Sequence, residues 1–320
     1  MFNLIAQTPY KKLFLDYQIN AFDVGARGGI ALDLLPIANS VNAIGFEPDE
    51  AAYAVLNTTR SPWKSVRYLP TGIGAKNGTQ LLHITEDPQS STLMIPDERI
   101  GNYFKSNQFF TVVDKKNIEV MTLDKAISFY QTPYPDYLKI DIEGPELEVL
   151  QASPVSLQHL LAIRIEVAYI PFRHHQPLAD QVHAFLYSAG FDLMDIDSTH
   201  KWRMGHAVAH PFLDKKNDLS YSKGQIAQSD FLYLRRITTI SALDSKIKLG
   251  LMAAALGYYD LSLTILSQDE ISQAIKHRYQ IHVETMLKEL SKKQGKYSVK
   301  KSLYHHLRLI YTHLKSLFSC

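Results

Sequence analysis

Phe22-Asp23-Val24-Gly25-Ala26-Arg27-Gly28-Gly29 carries an apolar strand into a glycine-rich turn, and 24 residues after Asp23 a second apolar stretch, Ile44-Gly45-Phe46-Glu47-Pro48, ends in a carboxylate. Residues 21–24 and 41–46 read as strands, with a helical run opening at about Ile30 between them, the order of a βαβ unit. Glycines let the backbone approach a ligand closely, and a helix N-terminus favours an anionic group. An acid at the tip of the second strand can accept both hydroxyl hydrogens of a ribose. The pattern predicts a nucleoside-cofactor pocket.

Two cofactor classes suit such a pocket. The dinucleotide fingerprint sets glycines at its first, third and sixth positions so that a pyrophosphate rests on the helix. Here Gly25 is followed by Ala26, Arg27 and the pair Gly28-Gly29. Asp23, beside the turn, would repel a pyrophosphate but can accept a hydrogen bond from an ammonium group, which suits the methionine end of S-adenosylmethionine. A nicotinamide dinucleotide stays as the rival, and an ordinary strand-to-helix turn with two tight glycines as the plainer alternative.

The chain has 320 residues, 46% hydrophobic and 21% charged, enough for one large core with or without an appendage, and disorder is excluded for most of it. Pro9, Lys11, Lys12 and Asp16 interrupt the first 17 residues and no run of 18 apolar residues occurs, so neither a secretory signal nor a spanning helix is expected, and the expected compartment is the cytoplasm. The single cysteine, Cys320, rules out an intramolecular disulfide and a cysteine-based metal site. The net charge is +2, but no acid follows Glu289, whereas Lys292, Lys293, Lys296, Lys300, Lys301, Arg308 and Lys315 do. The remainder holds 27 basic against 32 acidic residues, a balance of −5. A mildly acidic body with a basic tail disfavours nucleic acid as a partner.

Strands and helices alternate through the first 235 residues. Residues 48–60 read as a helix with Pro48 at its start, 65–73 as a third strand, and Asn77-Gly78 as the turn of a hairpin returning at 81–85. Residues 86–95 are polar loop. Residues 109–113 and 118–121 read as strands flanking a turn at 114–117. Strand 137–142, helix 144–150, strand 161–168, helix 178–189 ending at Gly190, and strands 191–196 and 231–237 complete the series. Alternation of this kind implies an α/β fold with a largely parallel sheet, whose ligands bind beyond the carboxyl ends of the strands.

That rule selects Lys139-Ile140-Asp141-Ile142-Glu143-Gly144. Period-two alternation puts Lys139, Asp141 and Glu143 on one side of the strand, where burial is costly unless they are paired or functional. A structural Lys139–Asp141 ion pair is one reading; a pair of acids, Asp141 and Glu143, facing the cleft is the other. The next strand adds Arg164 and Glu166.

Taken together, Asp23 to Gly29, Gly45-Phe46-Glu47-Pro48, Ser90-Ser91-Thr92-Leu93, Val120-Met121-Thr122-Leu123-Asp124, Leu138-Lys139-Ile140-Asp141-Ile142-Glu143-Gly144-Pro145-Glu146 and Ile165-Glu166-Val167 resemble the FkbM family of S-adenosylmethionine-dependent methyltransferases, in the same order, over residues 20–237. Arg27 and Pro145 stand where the family usually has small residues. The resemblance implies a Rossmann-like class I methyltransferase sheet, mostly parallel with its last strand antiparallel, and O-methylation of a hydroxyl on a sugar, glycan or related small-molecule acceptor.

Methyl transfer from a sulfonium is an in-line displacement, so positioning contributes most, with a base needed for a hydroxyl nucleophile. The expected cofactor contacts are Asp23, Gly25, Arg27, Gly28, Glu47, Pro48, Ile73 and Asp141. Asp23 and Gly25 would hold the methionine portion, Glu47 the ribose, and Ile73 the adenine. Asp141 is the first candidate for base or acceptor orienter, supported by Glu143 and Glu166. These three acids would also suit a divalent metal such as magnesium. His174, in the loop 171–177, is a further candidate base or an exposed loop residue. Residues 198–229, with His200, Trp202, Arg203, His206, His210 and Phe212, read as an irregular acceptor-binding lid.

Beyond Ile237 the pattern is helical. The expected organisation is a catalytic domain at 1–237, a helical hairpin extension at 238–290 that packs on the catalytic domain or a second subunit, and a basic amphipathic tail at 291–320. In that tail Leu303, Leu307, Ile310, Leu314 and Leu317 recur at helical spacing, suited to an anionic membrane surface, to this protein's own surface or to a dimer interface. Two other functional classes stay open, a nicotinamide-dependent oxidoreductase and a non-catalytic member of the fold acting as a partner module.

Overall fold

The computed structural model describes residues 3–204 and 223–317. In chain order it runs α1 (Lys11–Asp16), β1 (Ile19–Val24), β2 (Val41–Phe46), α2 (Glu50–Thr58), β3 (Ser65–Leu69), β4 (Gly72–Ile73), β5 (Gly78–Thr85), α3 (Glu98–Phe104), β6 (Val112–Met121), α4 (Leu123–Tyr130) and β7 (Tyr137–Ile140). It continues α5 (Glu146–Gln151), α6 (Pro154–His159), β8 (Ala162–Ala168), α7 (Ala179–Ser188), β9 (Phe191–Trp202), β10 (Gln225–Arg235), α8 (Leu243–Leu256), α9 (Tyr259–Leu266), α10 (Asp269–Tyr279) and α11 (Val283–Leu317). Among the described residues no helix is long and apolar enough to cross a membrane.

A seven-stranded sheet has the order β3-β2-β1-β7-β8-β10-β9. β3, β2, β1, β7 and β8 are mutually parallel, and β10 runs antiparallel between β8 and β9. This is the mostly parallel α/β sheet with an antiparallel strand that the family resemblance implies. The strand order reverses at β1, between β2 and β7, so a crevice opens beyond the carboxyl ends of β1 and β7. A second sheet, β4-β6-β5, stands over that crevice.

The two faces of the large sheet are covered differently. One packs Phe22, Val24, Leu138, Ile140, Ile163 and Ile165 against the crossover helices α4, α5 and α7. The other packs Ala21, Ala43, Tyr137 and Ala162 against residues from both chain ends: Leu4, Leu13 and Phe14, and then Leu249, Met252, Ile271 and Met286 of α8, α10 and α11. Full burial of one such large side chain contributes about 1.5–3 kcal/mol.

Several elements depart from the sequence reading. No helix opens at Ile30. Gly29 has φ +97°, the Asp23 carboxylate accepts the Ala31 N–H at 2.7 Å, and the connection to β2 is irregular apart from a 3-10 turn over Leu35–Ser40. The first glycine turn therefore has no helix N-terminus to offer an anion, and Ile30, Leu34 and Ile37 of the connection pack on the same face as the C-terminal helices. The Asn77-Gly78 turn does not join paired strands. β6 lies between β4 and β5, pairing Val120 with both Gly72 and Gly78, and the Asn77 side chain accepts the Thr122 N–H instead. Residues 109–121 are not a hairpin. Polar residues 114–117 lie inside β6 because their backbone completes the ladder to β5, while their side chains face solvent. The stretch 198–229 is regular at both ends, where Trp202 of β9 pairs with Gln225 of β10. His206, His210 and Phe212 lie outside the described residues.

Candidate active site

Strand β7 ends at Ile140, and Asp141 continues its register only through an N–H to the Val24 carbonyl. Glu143 and Gly144 then take left-handed backbone conformations, φ +65° and +135°. A non-glycine residue held there is strained and persists only where its surroundings enforce it. The enforcement is visible. The Glu146 carboxylate accepts the N–H groups of Ile142 and Gly144, and Thr92 Oγ1 donates to the Glu143 carbonyl at 2.7 Å. Arg173 pairs with the Glu143 carboxylate and donates to the Ser90 carbonyl. Loop 86–95 and the strap after β8 thus clamp the turn that presents Asp141 and Glu143. Burial pushes the Glu146 carboxyl up to about 7, against the pull of its N–H donors.

Gly25 supplies the opposite wall. Its φ is +89°, and a Cβ there would stand 2.0 Å from the Asp141 carbonyl oxygen, so no other residue fits. Asp23 is 1% exposed. One of its oxygens holds the Ala31 N–H; the other has no hydrogen-bond partner and faces Lys139 Nζ at 3.6 Å. Burial raises the Asp23 pKa to about 6, with Lys139 opposing the shift. Lys139 also binds Asp141 at 3.1 Å. Burial disfavours its charge, but Asp23 and Asp141 together hold its pKa above the ordinary lysine value. The Lys139–Asp141 ion pair read from the sequence is present, and Asp141 still faces the cleft.

Three lobes of that cleft meet at Gln89, Asp141 and Glu143. The first, about 330 Å³, is walled by Phe46, Glu47 and Pro48 at the end of β2 in the large sheet and by Ile73, Leu82, Ile84 and Ile118 from the second sheet. Glu47 is buried at its rim and accepts the Asp49 N–H at 2.8 Å. Burial raises its pKa, opposed by that N–H and by Arg27. The second lobe, about 640 Å³, lies over Asp23, Gly25, Arg27, Gly28 and Lys139. The third, about 340 Å³, is lined by Glu166, Phe172, Arg173, His200, Trp202 and Gln228 among others.

In the third lobe, carboxylate oxygens of Asp141, Glu143 and Glu166 lie within 4.8 Å of one another. Glu166 accepts from Gln228 Nε2 at 2.7 Å. Burial, followed by the charges of Asp141, Glu143 and Glu146, holds its pKa well above the carboxylate range. Carboxylates this close oppose one another's ionisation. The rings of Phe104, Phe109, Phe110 and Phe172 surround Trp202, the closest centroid being Phe172 at 4.8 Å.

The structure brings together Asp23, Gly25, Arg27, Gly28, Glu47, Pro48, Ile73, Asp141, Glu143 and Glu166 around one cleft. It leaves His174 out: that side chain is exposed and lines none of the three lobes, because the neighbouring Arg173 takes the inward position. Sequence reasoning missed Arg173, Gln228, Gln89 and the second-sheet residues Leu82, Ile84 and Ile118. Only Gln89 had a local signal, its place in the polar loop before Ser90.

Known proteins similar to this chain are methyltransferases. A sequence model described as the Methyltransferase FkbM domain matches residues 23–193. Methyltransferase sdnD of Sordaria araneosa is 28% identical over 219 residues, covering 59% of this chain and 83% of that protein. Among solved structures, the precorrin-6y C5,15-methyltransferase of Geobacter metallireducens GS-15 aligns with 72% of this chain and 90% of its own at 8% identity and a TM-score of 0.32. The 16S rRNA methylase ArmA aligns with 71% and 79% at 9% identity and a TM-score of 0.28.

Proposed function

Because the chain belongs to the FkbM methyltransferase family, we propose that this methyltransferase uses S-adenosylmethionine to methylate a hydroxyl oxygen of a sugar, a glycan or a related small polyhydroxylated acceptor. The observation that carries the reading is the meeting of the three lobes at Asp141, with an apolar nucleoside-sized lobe on one side and an acid-and-aromatic lobe on the other.

The residues present fit the cofactor. Glu47 stands buried at the rim of the apolar lobe with one carboxylate oxygen engaged by Asp49, leaving the other for ribose hydroxyls. Ile73, Leu82 and Ile118 provide flat apolar walls for a purine, and the unpartnered Asp23 oxygen borders the second lobe, where an ammonium group would sit. Arg27 reaches both lobes and suits the methionine carboxylate. Bound there, S-adenosylmethionine supplies an electrophilic methyl group on a sulfonium that leaves as a neutral thioether.

Glu166 and Asp141 handle the acceptor proton. A carboxylate with a raised pKa is a stronger base once ionised, and burial, followed by its acidic neighbours, raises the pKa of Glu166. Asp141, held by Lys139, orients the hydroxyl. Glu143 is tied to Arg173 and keeps the turn in place. Gln228, Arg173 and the apolar ring cluster around Trp202 provide polar contacts and an apolar face, the pairing a sugar ring calls for. The donor type of Asp141, Glu143 and Glu166 suits a hard divalent cation. Lys139 and Arg173 already balance two of those charges, and no step above depends on a metal.

The test is calorimetric titration with S-adenosylmethionine, S-adenosylhomocysteine and a nicotinamide dinucleotide, followed by transfer of labelled methyl to a panel of free and nucleotide-linked sugars. The expected result is binding of the first two ligands alone and a base-stable methyl ether on the product. Asp141→Asn should keep cofactor affinity and lower turnover by roughly 100-fold. Binding of the dinucleotide alone would point to the oxidoreductase reading. Methyl recovered only on nitrogen or carbon would remove the hydroxyl acceptor.

A further inference from the structure

Helix α11 runs without a break from Val283 to Leu317, and its two halves meet different surroundings. Val283, Met286, Leu287 and Leu290 are buried in the core shared with α8 and α10. Around them, Tyr10 donates to Glu289 at 2.6 Å, Lys293 donates to the Leu4 and Ala6 carbonyls, and Tyr259 donates to Gln294. Past Gln294 the apolar side chains that the structure describes turn outward. Val299, Leu303, Tyr304, Leu307, Ile310 and Tyr311 are each more than half exposed. Steps of three, four and seven residues put them on one face of the helix, along about 18 Å at 1.5 Å per residue. An apolar stripe of that size standing in water marks an interaction surface.

Its occupant follows from charge. Lys296, Lys300, Lys301 and Arg308 lie along this part of the helix, and no acid follows Glu289. Packing against a second copy would bring cations against cations, with no carboxylate at the flanking positions to relieve them. Nucleic acid would meet the lysines but would leave six large apolar side chains unburied. A surface with an anionic outer layer and an apolar layer beneath satisfies both. The two tyrosines suit the boundary, since each pairs an apolar ring with a polar tip.

We propose that residues 295–317 form an in-plane amphipathic anchor that docks the enzyme on an anionic lipid surface. Leu303, Leu307 and Ile310 enter the acyl boundary while the lysines meet headgroup phosphates. The short buried segment of the same helix ties the anchor rigidly to the catalytic core, so docking fixes the orientation of the cleft relative to the surface.

Sedimentation of the full chain with vesicles tests this. Vesicles of phosphatidylcholine containing phosphatidylglycerol should retain the protein, vesicles of phosphatidylcholine alone should not, and added salt should weaken retention. Leu303→Glu with Leu307→Glu should lower partitioning roughly tenfold or more, as should Lys300→Glu with Lys301→Glu. All four sites are exposed, so an unchanged melting temperature shows that each variant is folded. The proposal is overturned by absence of retention on anionic vesicles or by equal retention on neutral ones. It is equally overturned by a lipid-independent dimer that the leucine pair dissolves, or by oligonucleotide binding that only the lysine pair abolishes.

Discussion

The first and third lobes of the cleft share Asp141 and Glu143 but are built to opposite rules. Around Glu47 one buried acid stands among apolar walls contributed by two sheets, the setting proposed here for a nucleoside. Around Glu166 several acids crowd one another, two cations are drawn in to balance them, and the apolar surface is aromatic rather than aliphatic. A single acid in an apolar setting is a binding device, because its hydrogen bonds to a ligand are strong there. A crowd of acids is a proton-handling device, because each ionisation raises the pKa of the next. The cofactor end should therefore respond to mutation in affinity, and the acceptor end in rate and pH dependence.

The largest effect is expected at the acceptor end. Glu166→Gln should lower kcat by roughly 100- to 10,000-fold while leaving S-adenosylmethionine affinity within about twofold. The sign of the pH effect follows from the raised pKa of Glu166: below it the carboxyl is protonated and idle as a base, so the parent rate climbs as pH rises through that value, above the ordinary carboxylate range. The variant should lack this limb. A pH–rate profile that keeps it would show that the crowding does not serve the chemistry.

At the cofactor end the expected loss is smaller. Glu47→Ala removes a charged hydrogen-bonding partner, which costs about 1.5–3 kcal/mol, and calorimetry should report weaker binding of S-adenosylhomocysteine by roughly tenfold or more. At saturating cofactor, turnover should change little. If Glu47→Ala instead lowered kcat at unchanged affinity, the division between the two lobes would fail.

The smallest effect sharpens the boundary of the site. His174→Ala alters an exposed side chain outside all three lobes, so stability should stay within about 0.5 kcal/mol and activity within about twofold. A large loss of turnover on this substitution would extend the acceptor lobe to the exposed side of the strap.

Legibility of the site followed the distance along the chain over which its parts are assembled. Asp23, Gly25 and Glu47 lie on adjacent parallel strands joined by one connection, and the register Asp23 to Gly45 brings their ends together. Asp141 was legible because a charged residue closing a buried strand needs a reason. Arg173 and Gln228 had no such signal. Arg173 stands beside His174 and His175 in the loop 171–177, and it turns inward to pair with the Glu143 turn held against it. Gln228 reaches Glu166 because β10 runs antiparallel beside β8, a pairing set by the sheet as a whole. The missing helix after β1 was misread for a related reason. Residues 30–40 read as helical from their apolar spacing, but Asp23 captures the Ala31 N–H and Pro36 interrupts the run, so Ile30, Leu34 and Ile37 pack irregularly on a face they share with α8, α10 and α11.

By itself, the sequence determined the alternation of strands and helices, the acids at the strand ends, the family, and a C-terminal segment without a single carboxylate. These depend on residue type and on spacing within one or two elements, where backbone geometry allows few solutions. Tertiary structure alone decided which acid is crowded and which is isolated, which cation answers each, which residues wall the nucleoside lobe, and where α11 stops being core and becomes surface. Those depend on distances between residues far apart in the chain, and in a close-packed interior such distances are set by all the elements together.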